Sequence, residues 1–424
     1  MDIISTLNKY EANSIAFLPQ VIWKKAYGNT VVDINDKEYI DFSSGVMITN
    51  SGHGNEYIKS AIIEHLNQHG FLTSYMYPSE AKAKFLEHFS KYIPNNYKVA
   101  LFSTGSEIAD MSVKLSRLWC KKNKPNSKGL IISYTNSFHG RTLGAQSIGG
   151  QEVLKDWIPK QVSDQIARFV PFPDNIYSKG KDFSIFLNSI KQQGIDTNDI
   201  SAVIIECYQG CVGSFAPQEY MKSLEKWCKD NNILLIVDEI QSGFGRTGKF
   251  WAYEHYGIYP DIILSGKGIS SSLPLSAIIA KEDILSSCPM GLLGTTHSGN
   301  TLCCVAAKAN LEYIENNNLV SKVEVLGELF FNLLQSIAIE YPSKIRGVYG
   351  KGLVAAIHLG VKSEQNGNSE LANIFINKCI EEGLILYTPC GPDNANIKLV
   401  PPLTINETDL VKGCQIIRSV LSKI

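Results

Sequence analysis

Short apolar runs punctuate the middle of this chain at intervals. They are Val99–Phe102, Leu130–Ile132, Ala202–Ile205, Ile233–Val237, Ile262–Leu264 and Ser276–Ala280. Each is continuously apolar rather than alternating, as expected of strands buried on both faces. The segments between them carry helical periodicity, clearest in Ser112–Cys120 and Gln218–Asp230, which read as crossover helices. Strand and helix in alternation predict an α/β fold with a mostly parallel sheet covered by helices.

The flanks differ. Asn29–Asp33 and Glu38–Asp41 read as a hairpin across a turn at Asn35–Lys37. Ser43, Ser44 and Gly45 lead into a small-residue loop, Gly52-His53-Gly54. Helices follow at Tyr57–His69 and Ser79–Ile93, with Ser79 as N-cap and Glu80 suited to the helix dipole. Beyond residue 300, Thr301–Glu315 and Val323–Glu340 read as helices, Ile345–His358 as a turn feeding an edge strand, and Glu370–Glu382 as a helix. The last helix, from Glu407, puts Leu410, Cys414, Ile417, Leu421 and Ile424 on one stripe. The expected organisation is an N-terminal arm (1–48) that joins a smaller C-terminal α+β domain (316–424), with a large domain (49–315) between them.

Charge and cysteine content narrow the partners. Lys and Arg total 40 against 41 Asp and Glu, so no global field recruits nucleic acid or an anionic membrane. No apolar run approaches the ~20 residues of a membrane span, and Met1–Leu7 lacks the basic and apolar regions of a signal peptide. The ten cysteines show no Cys-x-x-Cys and no zinc spacing, so no metal is expected. Scattered among apolar residues, they read as reduced, packed thiols of a cytoplasmic protein. Glu64, His65 and His69 share a helix without forming a zinc motif and read as a surface pair, and Lys121–Lys128 reads as a solvated loop.

Several strand ends carry chemistry. Asp261–Gly268 is a buried strand that ends in small residues and delivers one amine, Lys267, to the carboxyl edge where open α/β sheets bind ligands. Ile233–Val237 ends in Asp238 and Glu239, and Ala202–Ile205 ends in Glu206. Carboxylates at the ends of buried strands need partners, and a pyridinium N–H would serve one of them. Ser103–Glu107 leaves a strand and opens a helix, so Gly105 and Ser106 could present N–H groups to an anion. Ser137–Arg141 places Phe138 at a loop tip where it could stack on a flat ring. Gly243–Gly248 formally matches Gly-x-Gly-x-x-Gly, but it lies deep in the sheet and does not follow its strand directly, which argues against a dinucleotide site. Gly268 stands where a Walker loop needs Ser or Thr.

Taken in order, Ser103–Glu107, Ser137–Arg141, Asp238–Gly248 and Asp261–Lys267 resemble the class III aminotransferases, fold-type I pyridoxal-phosphate enzymes. The resemblance runs from Asp33 to Leu403. It implies that Lys267 forms the Schiff base with the cofactor and that Asp238 holds the pyridine nitrogen. It further implies that Gln241 lies near the ring hydroxyl, with Phe138 and Ile240 on opposite ring faces and His139 beside Phe138. Gly105 and Ser106 match the phosphate cup, and Glu206 the acidic residue of a Glu-Pro-Val block. Thr296 matches a threonine that reaches the cofactor phosphate of a neighbouring subunit, which implies a homodimer with shared active sites. The implied reaction is ping-pong transfer of an amino group, possibly a non-α one, from a small-molecule donor to a carbonyl acceptor.

Two positions depart from that pattern together. Cys211 stands where members using 2-oxoglutarate carry a gate glutamate, and Lys398 where they carry an arginine. A carboxylate–arginine switch therefore cannot operate as such. Lys398 is expected to attract an anionic group with looser geometry, against the alternative of a solvated strand lysine. Cys211 either contacts substrate or simply packs. Gly54-Asn55 also departs from the family's Gly-His-x-His-Pro. A racemase, epimerase or aminomutase with the same cofactor, and a non-catalytic nucleotide-binding or scaffolding protein, are the competing readings.

Overall fold

The computed structural model describes every residue except 1, 13, 15–20, 175, 179 and 362–365. Part of the expected N-terminal arm thus lies outside the described residues. A helix, Ile3–Tyr10, comes first, followed by three strands: β1 (Trp23–Tyr27), β2 (Thr30–Asp33) and β3 (Glu38–Asp41). The hairpin expected from the sequence pairs Val31 with Tyr39. Next come β4 (Tyr97–Phe102), β5 (Leu130–Tyr134), β6 (Ala167–Val170) and β7 (Ile200–Ile205), and a two-residue pair, β8 (Tyr208–Gln209) and β9 (Ser214–Phe215). The remainder are β10 (Leu234–Asp238), β11 (Ile262–Ser265), β12 (Ser276–Lys281), β13 (Ile345–Lys351), β14 (Val354–Leu359), β15 (Leu384–Ile385) and β16 (Asn396–Leu399).

The central sheet has seven strands in the order β4-β12-β11-β10-β7-β5-β6. Strands β11, β10, β7, β5 and β6 run parallel, and β12 alone is antiparallel to its neighbours. Alternate side chains of the strands enter two separate cores. Val203, Ile205, Leu235 and Val237 join one, whereas Ala202, Ile204, Leu234 and Ile236 join the other. That is why these strands read as unbroken apolar runs: neither face meets water. The helix Gly105–Asn123 covers one face with Ile108, Val113, Leu115 and Trp119, and Gln218–Asp230 covers the other with Tyr220, Met221, Leu224 and Cys228.

A second sheet joins the chain's two ends, because β15 pairs in parallel with β3. A third has the order β13-β14-β16. Here the sequence reading needs correction. Ile345–His358 is a hairpin turning at Gly352, and its second strand is central, not an edge. Lys121–Lys128 also differs from expectation. Its first residues finish the helix Gly105–Asn123, and Lys124 folds inward to donate to Ile200 O and Asn231 O. His65 and His69 lie 5.0 Å apart between ring centroids, tilted by 41°, on their helix. His69 is exposed, but His65 is half-buried with its Nε2 enclosed, so only one member of the expected surface pair is on the surface.

The helix Leu319–Glu340 meets the β13–β14 turn backbone to backbone at Gly327. A Cβ there would lie 2.4 Å from Gly352 Cα, and Gly352 is itself wedged against Arg246 and Thr247. Gly327→Ala is therefore expected to lower stability by about 1–3 kcal/mol through overpacking. The check is the denaturant midpoint at constant slope, and a shift below about 0.5 kcal/mol would contradict this account of the contact.

Candidate active site

Neighbouring strands of the central sheet end at one place and deliver different chemistry there. From β4 the chain turns into the helix Gly105–Asn123 through a capping box. Glu107 Oε2 accepts from Ser103 N at 2.9 Å and Thr104 N at 2.7 Å. The first-turn N–H groups of Gly105 and Ser106 lack intrahelical acceptors and suit an anion. The loop after β5 closes on this helix start. Arg141 N donates to Ser106 Oγ at 3.2 Å, and a Cβ on Gly140 would sit 2.5 Å from the same oxygen.

Strands β5, β7 and β10 bring three ionisable groups together. Asp238 is buried, and its Oδ2 lies 2.7 Å from His139 Nδ1. A carboxylate can only accept here, so Nδ1 carries the proton. Asp238 Oδ1 takes Ile240 N at 3.0 Å. Burial disfavours the charged imidazole of His139, but the Asp238 bond and charge outweigh it and, helped by Glu206, raise its pKa. Glu206 accepts from the backbone N–H groups of Phe138 and Gly210, both at 3.1 Å. Burial pushes its carboxyl up to about 7; the His139 charge opposes that shift and Asp238 adds to it.

Lys267 follows β11 in a strained backbone conformation, φ 41°. Burial, aided by the Lys398 ammonium and opposed by Asp238 and Glu206, lowers its amine to about 8. Ile240 packs between two strand ends: Cβ atoms built on Gly105 and Gly266 would lie 3.2 and 3.4 Å from its side chain. Phe138 is half-buried, with the Arg141 guanidinium 5.8 Å from its ring centre, so it is not a core residue.

On the other side of Lys267, β16 presents Lys398. It is only 6% exposed, with Nζ 4.6 Å from the ring centre of Tyr387, so it is not a solvated strand lysine. Cys211 sits half-buried in the β8–β9 turn, where burial pushes its thiol up to about 12. Thr296 is exposed and makes no hydrogen bond to these residues. Arg246, from the formal Gly-x-Gly-x-x-Gly stretch, is fully buried. It donates to Leu353 O at 3.0 Å and Asn50 Oδ1 at 2.9 Å and bonds Pro401 O, so that stretch braces the fold.

A model of the aminotransferase class-III family matches residues 10–421. Relatives include the ornithine aminotransferase of Saccharomyces cerevisiae, 33% identical over 97% of this chain and 95% of that protein. The diaminobutyrate–2-oxoglutarate transaminase of Sporosarcina pasteurii is 32% identical over 95% and 92%. The 5-aminovalerate aminotransferase DavT of Pseudomonas putida is 30% identical over 94% and 93%. Among solved structures, a Bacillus anthracis aminotransferase superposes with a TM-score of 0.90 at 27% identity, over 99% of this chain and 98% of that one.

The chain belongs to the class III aminotransferases.

Enzymes of this family depend on pyridoxal 5′-phosphate, and the fold is that of a fold-type I enzyme. The residues present fit the cofactor. His139 Nε2, Gln241 Nε2 and Ser265 Oγ are buried polar atoms without a partner, beside the amine of Lys267 and a helix start suited to phosphate. Orphaned polar atoms of this kind cost about 1–3 kcal/mol each unless something pairs with them. Membership favours transamination over the racemase or aminomutase reading and sets aside the non-catalytic one. Two neighbours of Lys398, Tyr387 and Cys390, escaped the sequence reading. They lie in an irregular loop, where no periodicity pairs them with a strand residue.

The depressed amine gives a direct test on cofactor-free protein. Amine-reactive reagents attack the neutral form, so labelling of Lys267 is expected to reach half its maximum near pH 8, below ordinary lysines. Lys398→Met is expected to move that midpoint upward by removing a like charge. Peptide mass spectrometry across pH reads both, and a Lys267 midpoint equal to that of surface lysines would contradict the account.

Proposed function

We propose that this aminotransferase acts on a non-α amino group of a small carboxylate-bearing donor and passes it to a carbonyl acceptor. Relatives support the donor class. The 5-aminovalerate named for one carries its amine far from its carboxylate, and the ornithine and diaminobutyrate named for others carry a second amine. The observation that carries the reading is that neighbouring strand ends bring Lys267, the His139-bonded Asp238 and Glu206 to one edge of the sheet, with unpartnered buried polar atoms beside them.

The bound cofactor supplies an electron sink for the carbon that bears the amine. Lys267 Nζ would hold the cofactor and, once free, would be the base that takes and returns the proton on that carbon; a free amine near 8 suits both directions at neutral pH. Asp238, fixed by His139, would offer a carboxylate oxygen to the ring N–H and keep it protonated. Glu206 holds the loop of Phe138 against the site through its N–H. Phe138 and Ile240 would flank the ring, Gln241 would lie near its hydroxyl, and Gly105 and Ser106 would hold the phosphate. Lys398 attracts the substrate carboxylate, and Cys211 lines that end of the pocket.

The working unit is a homodimer in which Thr296 reaches the partner's cofactor phosphate. Its support is an exposed apolar set, Phe71, Met76, Tyr77 and Met290, which suits burial against a second copy. The cytoplasm is the favoured compartment, because all ten cysteines are free and most are buried. Neither nucleic acid nor a membrane is a partner: the charges balance, and no helix among the described residues is long and apolar enough to cross a bilayer.

Lys267→Ala is expected to abolish transamination and the loss of the cofactor's visible band on adding amine. Lys398→Ala is expected to raise KM for carboxylate-bearing substrates about tenfold or more, the cost of a charge-assisted bond. A panel of amino donors read by that band tests the substrate class, and a rise in KM below about twofold would remove Lys398 from it.

A further inference from the structure

Lys398 occupies a setting in which a buried ammonium is seldom left. Its side chain is 6% exposed, yet among the described residues no carboxylate pairs with it and no hydrogen bond holds it. Three ionisable groups feel its charge: Cys211 from the β8–β9 turn, Cys390 from the loop before β16, and Lys267 from the turn after β11. None neutralises it. Burial keeps both thiols protonated, and Lys267 carries the same sign. The walls close around this end of the pocket. The backbone of Gly391 faces the Cys211 thiol, and a Cβ on Gly213 would lie 2.3 Å from Ala356 Cβ. Ala356 is the cross-strand partner of Lys398 on β14 and is too small to buttress it.

A lysine side chain is flexible and lacks the planar fork by which arginine fixes its own geometry. Something else must hold Nζ in place. The aromatic face of Tyr387 lies 4.6 Å below it, within the ~6 Å at which a cation is attracted to a ring. Tyr387 is half-buried and belongs to the same loop as Cys390, so the ring is anchored while the ammonium above it stays available.

We propose that Tyr387 is a positioning residue that fixes the Lys398 ammonium for a substrate carboxylate and thereby sets the substrate class. The inference rests on the reading of Lys398 given above. Because no acidic side chain can cancel this charge, the site favours a carboxylate in both half-reactions. Donors without one gain nothing from Tyr387.

The test uses the holoenzyme and two donors of equal length, 5-aminovalerate and pentylamine. Tyr387→Leu is expected to raise KM for 5-aminovalerate about five- to tenfold, in line with a partly desolvated cation–ring contact, with kcat unchanged. Pentylamine kinetics should stay within about twofold on the same grounds. Tyr387→Phe, which keeps the ring, should restore the wild-type KM. Inhibition by valerate, a carboxylate that cannot react, should weaken in parallel. If the leucine variant does not accumulate, Tyr387→Met takes its place. A KM for 5-aminovalerate that is unmoved by Tyr387→Leu but raised by Lys398→Ala would overturn the role of Tyr387 alone. Equal losses for both donors would make Tyr387 merely structural. No change in Lys398→Ala would overturn the carboxylate reading itself, and the role of Tyr387 with it.

Discussion

A carboxylate buried at the end of a strand persists as an anion only if its surroundings replace the water it has lost. For Asp238 that replacement is a 2.7 Å hydrogen bond from His139 and a second from Ile240 N. The remainder of the site depends on this bond. It ties the loop after β5 to the end of β10 across the intervening β7, whose Glu206 in turn holds Phe138 by its backbone N–H. Strands β5, β7, β10 and β11 are consecutive in the sheet, so His139, Glu206, Asp238 and Lys267 follow in the same order at its carboxyl edge. The charges offset each other's desolvation: Asp238 favours the protonated His139, Glu206 is pushed toward neutrality, and Lys267 is held down by burial.

The lysine has a second support. A residue with a side chain at φ 41° is strained, and such strain persists only where the surroundings over-determine it. Asn310 is fully buried and donates from Nδ2 to Gly268 O at 2.8 Å and Ile269 O at 3.1 Å, while its Oδ1 takes the Ser51 hydroxyl at 2.6 Å. Asn50 lies against Gly268, where a Cβ would meet its Nδ2 at 2.6 Å, and Arg246 holds Asn50 in turn. The small-residue loop near Gly52, the interior helix Thr301–Asn316 and the turn of Lys267 are thus one hydrogen-bonded unit.

Much of this architecture was legible in the chain. The unbroken apolar runs became β5, β7, β10, β11 and β12, because strands buried on both faces leave no polar period to confuse them, and β4, an edge strand that stays apolar over Val99–Phe102. Strand β6, Ala167–Val170, went unread. It is one of the two edges of the sheet, and with Arg168 and Phe169 half-buried in a four-residue strand it lacks the apolar signature of its neighbours. The antiparallel direction of β12 and the central place of β14 were equally invisible, since direction and neighbour are properties of the assembled sheet.

By itself the sequence determined that a lysine, two carboxylates, an aromatic residue and a helix start would stand at strand ends, because local pattern places a residue along its own strand. Only the tertiary structure decided which ends are adjacent, that His139 is the residue bonded to Asp238, and that Lys398 is buried over Tyr387 rather than solvated. Those contacts join segments distant in the chain, and the free energy of a buried charge depends on what surrounds it in space, which no window along the sequence contains.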